Sequence, residues 1–200
     1  SFPTRRSSDL KLTRETEKAY DLDLNDRGLM AEGYDFFLSL HSNAAGASAN
    51  KVYAYCCVDG KADAIGAQLS AAIAKTMGVP DGGVAHRYSE DYPGKDYYCV
   101  LRNAKSVGVS GILMEHSYHT NYYVRTWLLN QSNLKKLAKA EADALQKAYQ
   151  TVFADAASFA DMDGFDSQSA TQLVADAGYT NETIDNCVEA LDASGNVWAT

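Results

Sequence analysis

Two apolar stretches of the chain end on residues that carry chemistry. Residues 36–40 (FFLSL) lead to His41, and residues 109–114 (VSGILM) lead to Glu115. Each run has the length and apolar character of a buried strand. In an open parallel α/β sheet, side chains just past the carboxyl ends of strands line the ligand crevice. We therefore predict that His41 and Glu115 face one cleft, the alternative being a hydrogen-bonded cap at each strand end.

The rest of the pattern alternates between helices and strands. Apolar residues recur at steps of three and four between Ala62 and Met77, and Gly78 with Pro80 ends the run, which predicts an amphipathic helix. This alternation predicts an α/β fold with helices on both faces of a mostly parallel sheet. The other predicted elements are a helix over 17–32, a loop over 42–50, a strand over 52–58, a turn at 59–60, a loop over 86–98, a short strand at 100–101, a helical turn over 103–107, a loop over 116–121, and helices over 124–129 and 134–152.

The two ends of the chain differ in composition from its body. Residues 1–10 (SFPTRRSSDL) are polar and aperiodic, resemble translated adaptor sequence, and are left out of the predicted fold. Residues 154–200 are acidic and predict the beginning of a small helical module. Within it, residues 161–166 match the spacing of a calcium loop only in part. The main α/β domain is therefore predicted over residues 11–153.

Composition disfavours several classes of protein. The net charge is -8, and from residue 151 onward there are acidic residues but no Lys or Arg, so the chain has no basic stripe for nucleic acid. No apolar run approaches the roughly 20 residues of a membrane span. The four cysteines show no CxxC spacing, which disfavours a zinc–thiolate site or a disulfide framework. Cys56 and Cys57 alternate faces if they lie on a strand, so at least one is expected in the core. The pattern does not indicate an oligomeric state.

Several segments resemble one enzyme family in order and spacing. Residues 36–44 (FFLSLHSNA) are similar to the D-L-x-I-S-I-H-A-N-A segment of the zinc-dependent N-acetylmuramoyl-L-alanine amidases, amidase family 3. Residues 111–121 (GILMEHSYHTN) are similar to that family's V-L-V-E-x-G-F-x-S-N segment. Residues 12–14 and 24–31 resemble its T-R…L-x-x-R-x-x-x-A helix entry, and residues 100–103 resemble its arginine segment. The likeness therefore extends over about residues 11–150.

The resemblance implies an activity and a site. It implies a three-layer, zinc-exopeptidase-like amidase core that cleaves the amide between N-acetylmuramic acid and L-alanine in peptidoglycan, in a protein secreted to the bacterial cell wall. In that family two histidines and a glutamate hold a zinc ion, and a second glutamate activates a water. His41 then corresponds to the second zinc histidine, and Glu115 to the catalytic glutamate. Zinc with three protein ligands keeps an open position and lowers the pKa of bound water to about 7. Asn43, Arg102 and Asn121 either orient substrate or brace loops.

The chain departs from the family pattern at the metal. The family's first zinc histidine lies in a G-H-G-G turn and its glutamate ligand in the next helix; both should precede Leu12, and no G-H-G occurs in the chain. The resemblance thus implies a catalytic domain without its first strand and helix. It would be inactive unless His116 or His119 completes the site.

Other readings of the functional residues remain open. The chain could be a non-catalytic peptidoglycan-binding module, or a Cys/His hydrolase using Cys99 with His86 or His119. His86, His116 and His119 could equally be loop histidines with solvent or backbone partners. The four tyrosines of residues 86–98 could form the lip of a sugar or peptide site, or lie on a plain surface loop.

Overall fold

The structure, a computed structural model, describes residues 10–13 and 22–152, with side chains as far as residue 148. Predictions that fall on residues 1–9, 14–21 and 153–200, including the acidic module and its partial calcium loop, lie outside the described residues. The described elements are the strands β1 (Phe37–Asn43), β2 (Val52–Cys56), β3 (Asp81–Ala85) and β4 (Gly111–Tyr118), and the helices α1 (Leu24–Leu29), α2 (Asp63–Met77), α3 (Cys99–Ser106), α4 (Tyr122–Leu128) and α5 (Gln131–Val152).

The four strands form one mixed sheet in the order β1-β4-β2-β3. The pairs β1–β4 and β2–β3 are parallel, and β4–β2 is antiparallel. β4 lies between β1 and β2, and all of its residues before Tyr118 are buried, as expected for an apolar run in the middle of a sheet. The α/β fold with a mostly parallel sheet is thus confirmed.

Helices cover both faces of the sheet. On one face, Ala54 of β2 and Met114 of β4 share a core cluster with Leu69 of α2 and Leu137 of α5. On the other face, Leu113 packs in a second cluster with residues of β1 and α3. The period of two along β4 separates the clusters, because successive side chains of a strand point to opposite faces. Cys56 and Cys57 follow the same rule, since both are buried and they lie in different clusters.

Several predicted elements occur close to where the pattern places them. The helix predicted from Ala62 to Met77 is α2, and Gly78 ends it in the left-handed conformation with φ 69°. The strand predicted over 52–58 is β2, and the last two predicted helices are α4 and α5. Among the described residues, no helix is long and apolar enough to cross a bilayer.

Other elements differ from their predictions. Val100 and Leu101 belong to α3 rather than to a strand, and both are buried because they share the inner side of a helix. Within the described residues the first helix ends at Leu29, before the predicted residue 32. The loop predicted over 116–121 is strand as far as Tyr118.

The pattern also missed β3. Its sequence, DGGVA, has the composition of a turn, yet the segment pairs with β2. A Cβ at Gly82 would lie 2.4 Å from the carbonyl oxygen of Val52, so the absence of a side chain allows the two strands to approach.

Candidate active site

The sheet brings His41 and Glu115 together. They are register partners on the parallel strands β1 and β4. Glu115 follows Leu113 by two residues and therefore lies on the face of the sheet that α3 covers. Neither residue ends its strand, since β1 continues to Asn43 and β4 to Tyr118. The pair therefore lies before the carboxyl ends of the two strands and not just past them, where the sequence pattern placed it.

Glu115 is a buried carboxyl group with an unsatisfied oxygen. Glu115 is only 7% exposed, and its Oε2 atom has no hydrogen-bond partner among the described residues. Burial raises the pKa of Glu115 to about 7, although the nearby charge of His116 acts in the opposite direction. Near neutral pH the group therefore exists in both its protonated and its ionised form.

His41 is held as a neutral imidazole. Its Nε2 atom lies 2.8 Å from Ser39 Oγ, two residues earlier on the same face of β1. Burial, together with the smaller effects of the positive charges of Arg27 and His116, lowers the pKa of His41 to about 4. A neutral ring keeps a lone pair on one nitrogen, which is the form that can bind a metal or accept a hydrogen bond.

Tyrosines border the pair on its other side. Tyr53 of β2 is the register partner of Glu115 across the antiparallel pairing. The charge of Glu115 contributes to raising the pKa values of Tyr55, Tyr98 and Tyr118, after the larger effect of burial, so all three lie near its carboxyl group. Neither Tyr53 nor Tyr55 is among the site residues predicted from the sequence. The two tyrosines alternate along β2 with the buried residues Val52, Ala54 and Cys56, so both lie on the face opposite the larger core cluster. This alternation is the sequence feature that could have identified them.

A strained residue in β4 sets the position of Tyr118. Ser117 has a φ of 61°, in the left-handed region that non-glycine residues rarely adopt. The register of β1 and β4 shifts at this point, between His41 and Asn43, as in a β-bulge. The Ser117 hydroxyl donates to Asn50 Oδ1 at 3.0 Å and so holds the bulge in place.

Two substitutions at Ser117 separate strain from hydrogen bonding. We expect Ser117→Val to lower the free energy of unfolding by about 2 kcal/mol, because a β-branched residue strains this backbone and the hydrogen bond to Asn50 is lost. Ser117→Gly loses the same hydrogen bond but relieves the strain, so its change should be smaller than about 1 kcal/mol. Urea unfolding of both variants measures the difference, and equal losses would show that the left-handed backbone is not a source of strain.

His116 faces away from Glu115 and has no free ring nitrogen. Its Nδ1 atom lies 2.8 Å from the carbonyl oxygen of His41, and its Nε2 atom lies 2.9 Å from Glu141 Oε1 on α5. Burial alone lowers the pKa of His116, but the charge of Glu141 and its hydrogen bond outweigh burial and raise it overall. His116 therefore links β1, β4 and α5 and is not in a position to complete a metal site.

The other two histidines have partners of their own. His119 Nδ1 lies 3.0 Å from Ser42 Oγ, while its Nε2 atom is buried without a partner among the described residues. His86 Nε2 lies 2.9 Å from Asp63 Oδ1, at the start of α2. Both contacts hold loops against the sheet or a helix.

The three predicted substrate-binding residues all contact the protein backbone. Asn43 Oδ1 accepts a hydrogen bond from the Ala44 amide, and Asn121 Oδ1 caps α4 by accepting from Tyr123 and Val124. The Arg102 guanidinium donates to two carbonyl oxygens, those of Asp96 at 2.7 Å and Tyr97 at 3.1 Å. The contacts of Arg102 and Asn121 hold the tyrosine-rich loop and the start of α4 in place, as expected for residues that brace loops. The role of the three residues in orienting substrate stays a prediction.

Glu115 makes the stability of the chain depend on pH. Its pKa rises from an ordinary value of 4.5 to about 7 on folding, so between these values the folded chain holds this proton more tightly than the unfolded chain. The free energy of unfolding is therefore expected to fall as pH rises through this interval, and the contribution of Glu115 should be constant above it. Urea unfolding in chelator-containing buffer at about pH 5 and about pH 8 should show a larger loss for the wild type than for Glu115→Gln. An equal loss in both would contradict the pKa shift.

One family model and several solved structures match the chain. A family model described as N-acetylmuramoyl-L-alanine amidase matches residues 4–147. No curated protein matches the chain significantly. Among solved structures, the chain is similar to Cwp6 from Clostridium difficile, with a TM-score of 0.59 and 22% identity over 67% of this chain and 21% of that one.

Two further structures share the fold. One is an N-acetylmuramoyl-L-alanine amidase from Clostridium difficile 630, with a TM-score of 0.51 and 18% identity over 68% of each chain. The other is the catalytic domain of CwlV, an N-acetylmuramoyl-L-alanine amidase from Bacillus (Paenibacillus) polymyxa var. colistinus, with a TM-score of 0.51 and 22% identity over 63% of this chain and 65% of that one. The chain thus spans a fifth of Cwp6 and about two thirds of the other two.

Proposed function

The chain belongs to the N-acetylmuramoyl-L-alanine amidase family, and on that premise we propose that it hydrolyses the amide between N-acetylmuramic acid and L-alanine in peptidoglycan, outside the cell. The observation that carries the proposal is the register pairing of His41 with Glu115. These are the two groups that the sequence resemblance gives to the reaction centre, and the fold makes them neighbours on one face of the sheet.

Glu115 has the properties required to move the proton of this reaction. In amide hydrolysis a water attacks the carbonyl carbon, the C–N bond breaks, and a proton passes from the water to the leaving nitrogen. A carboxyl group with a pKa near the working pH can accept that proton and then donate it. Burial brings the pKa of Glu115 into this range, and its buried Oε2 atom makes no hydrogen bond with a described residue that would compete for the proton.

The described residues do not make up a zinc site by themselves. A catalytic zinc needs three protein ligands, and no group of three or more His, Cys, Asp or Glu residues in the described ranges 10–13 and 22–152 has the arrangement of a metal site. Of the ligands that the resemblance implies, this part of the chain supplies His41, whose Nδ1 atom makes no hydrogen bond with a described residue. We therefore propose that Glu115 moves the proton in this reaction and that His41 is the contribution of this region to zinc binding.

A direct assay tests the proposal. Purified peptidoglycan is incubated with the chain, with and without one equivalent of added zinc, and the new amino groups of L-alanine are quantified together with the released peptides. We expect L-alanine amino termini to appear and no new reducing sugar ends. Binding to peptidoglycan without release of L-alanine amino termini would contradict the hydrolase and favour the non-catalytic binding module.

The same assay separates the amidase from a cysteine hydrolase. Cys99 begins α3, and its Sγ atom lies 3.1 Å from Asn25 Oδ1 on α1, so the thiol contacts a neighbouring helix. Cys99→Ala should hydrolyse peptidoglycan at the rate of the wild type. A loss of activity in this variant would instead support the Cys/His mechanism.

A further inference from the structure

A row of four tyrosine rings runs from the register partner of Glu115 to an arginine. The ring centroids of Tyr53 and Tyr55 are 5.8 Å apart, those of Tyr55 and Tyr98 are 5.2 Å apart, and those of Tyr98 and Tyr97 are 5.3 Å apart. At the far end, the Arg87 guanidinium lies 3.5 Å above the ring of Tyr97. We call Tyr53, Tyr55, Tyr98 and Tyr97 the tyrosine row.

Arg87 is held so that its charge remains available. Its guanidinium stacks on Tyr97, and its central carbon lies 3.5 Å from the ring centre of Tyr97 and 5.8 Å from that of Tyr98. Stacking occupies the face of the guanidinium group. The N–H donors in its plane are left for a bidentate hydrogen-bonded contact with a carboxylate. Arg87 is exposed and forms no ion pair with an acidic side chain among the described residues. It lines a cavity of about 340 Å³, which Glu90 and Asp91 also line without pairing with it.

The geometry favours an extended peptide over a glycan strand as the ligand. The planes of successive rings in the row are inclined by 35°, 60° and 88°, so the rings do not form the flat platform on which sugar rings stack. Each step along the row is between 5.2 and 5.8 Å, whereas an extended peptide advances about 3.3–3.6 Å per residue. The direct path from Tyr53 through Tyr55 and Tyr98 to the Arg87 guanidinium has three steps, of 5.8, 5.2 and 5.8 Å. It therefore corresponds to a peptide of at most about five residues.

We propose that the tyrosine row binds the stem peptide of peptidoglycan, and that Arg87 binds the carboxylate at the C-terminus of that peptide. The inference rests on the proposed function, because that function places the amide of the first stem residue at Glu115. The stem peptide then leads away from Glu115 along the row, and its free carboxylate reaches Arg87 at the far end. The other cation beside the row, Lys51, lies with its Nζ atom 5.9 Å from the ring centre of Tyr53, at the end next to Glu115. The site would thus select stems with a free terminus.

A binding experiment tests this without requiring hydrolysis. The chain is titrated with the tetrapeptide L-Ala–γ-D-Glu–L-Lys–D-Ala and with its C-terminal amide, and binding is followed by NMR or calorimetry. Arg87→Gln should weaken binding of the free acid about tenfold. The same variant should bind the amide as the wild type does, because the amide has no charge for Arg87 to hold. Arg87→Lys should give an intermediate loss, since it keeps the charge but not the planar pair of donors.

Two controls make the result specific. Arg125 is also exposed and lies 5.9 Å from the ring centre of a tyrosine, Tyr122, so Arg125→Gln removes an equivalent charge outside the row. It should leave the affinity for the free acid unchanged. In the peptide, amidation of the glutamate α-carboxylate removes a negative charge that is not at the C-terminus. Arg87→Gln should therefore weaken binding of this amidated peptide by the same factor as it weakens binding of the unmodified tetrapeptide.

The outcomes also separate this inference from the proposed function. If the peptide binds through Arg87 but peptidoglycan is not hydrolysed, the stem site stands and the amidase proposal fails. If peptidoglycan is hydrolysed while Arg87→Gln binds the free acid as tightly as the wild type, the stem site is wrong. Tighter binding of peptide-free glycan than of tetrapeptide, lost in Tyr97→Ala, would also overturn it.

Discussion

Glu115→Gln is expected to lower the rate of peptidoglycan amide hydrolysis by at least about a hundredfold, because positioned acid–base catalysis contributes roughly 10²–10⁴ to such reactions. The substitution keeps the size and shape of the side chain beside His41 and Tyr53. It removes the only property that the proposed mechanism requires of this residue, which is a proton that can be taken up and released near neutral pH.

The measurement is the initial rate of L-alanine amino-terminus release from purified peptidoglycan, compared between the wild type and the variant. Glu32→Gln is the matched control, since Glu32 is exposed in the turn after α1, and it should retain the full rate. A circular dichroism spectrum and urea midpoint for Glu115→Gln establish that it is folded. If a folded Glu115→Gln hydrolysed peptidoglycan at the wild-type rate, the proton-transfer role of Glu115 would be wrong.

The parts of the fold that sequence predicted are those in which local pattern and burial agree. The run before Glu115 is apolar because β4 is the strand buried on both sides, and α2 shows its period because one side of it packs on the sheet. By contrast, β3 is an edge strand with turn composition, and only its pairing with β2 defines it. Val100 and Leu101 are apolar neighbours in either a strand or a helix, and tertiary packing decides between the two.

The candidate site was predictable only in part for a similar reason. Motif spacing identified His41 and Glu115, but strand order decides that they are register partners and that Tyr53 borders Glu115 on the other side. Strand order is a non-local property, and a one-residue slip would turn Tyr53 to the opposite face. The partner of His116 also depends on tertiary packing, since Glu141 is 25 residues away along the chain.

Glu141→Leu is expected to lower the free energy of unfolding by about 3 kcal/mol, because it leaves His116 buried without its ionic partner. In the wild type the side chains of His116 and Glu141 are 8% and 12% exposed, so solvent screens the pair little. The pair raises the pKa of His116 above 6.5, so its stabilisation is fully present below that pH and is lost as pH rises through the folded-state pKa. The loss in Glu141→Leu should therefore be larger at about pH 5 than at about pH 8, where the unpaired imidazole is neutral.

A double-mutant cycle distinguishes the ionic pair from general packing. If the charge is the cause, His116→Leu combined with Glu141→Leu should be less destabilising than the sum of the two single variants, because no unpaired charge remains in the core. Asp143→Leu is the control on the same helix, since its ion pair with Lys139 is more than half exposed and contributes little. Additive losses in the cycle, or losses that do not change with pH, would show that His116 and Glu141 stabilise the sheet by packing alone. His116 also donates a hydrogen bond to the carbonyl oxygen of His41 on β1. Loss of the His116–Glu141 pair is therefore expected to weaken the contact that holds the backbone of His41 in the candidate site.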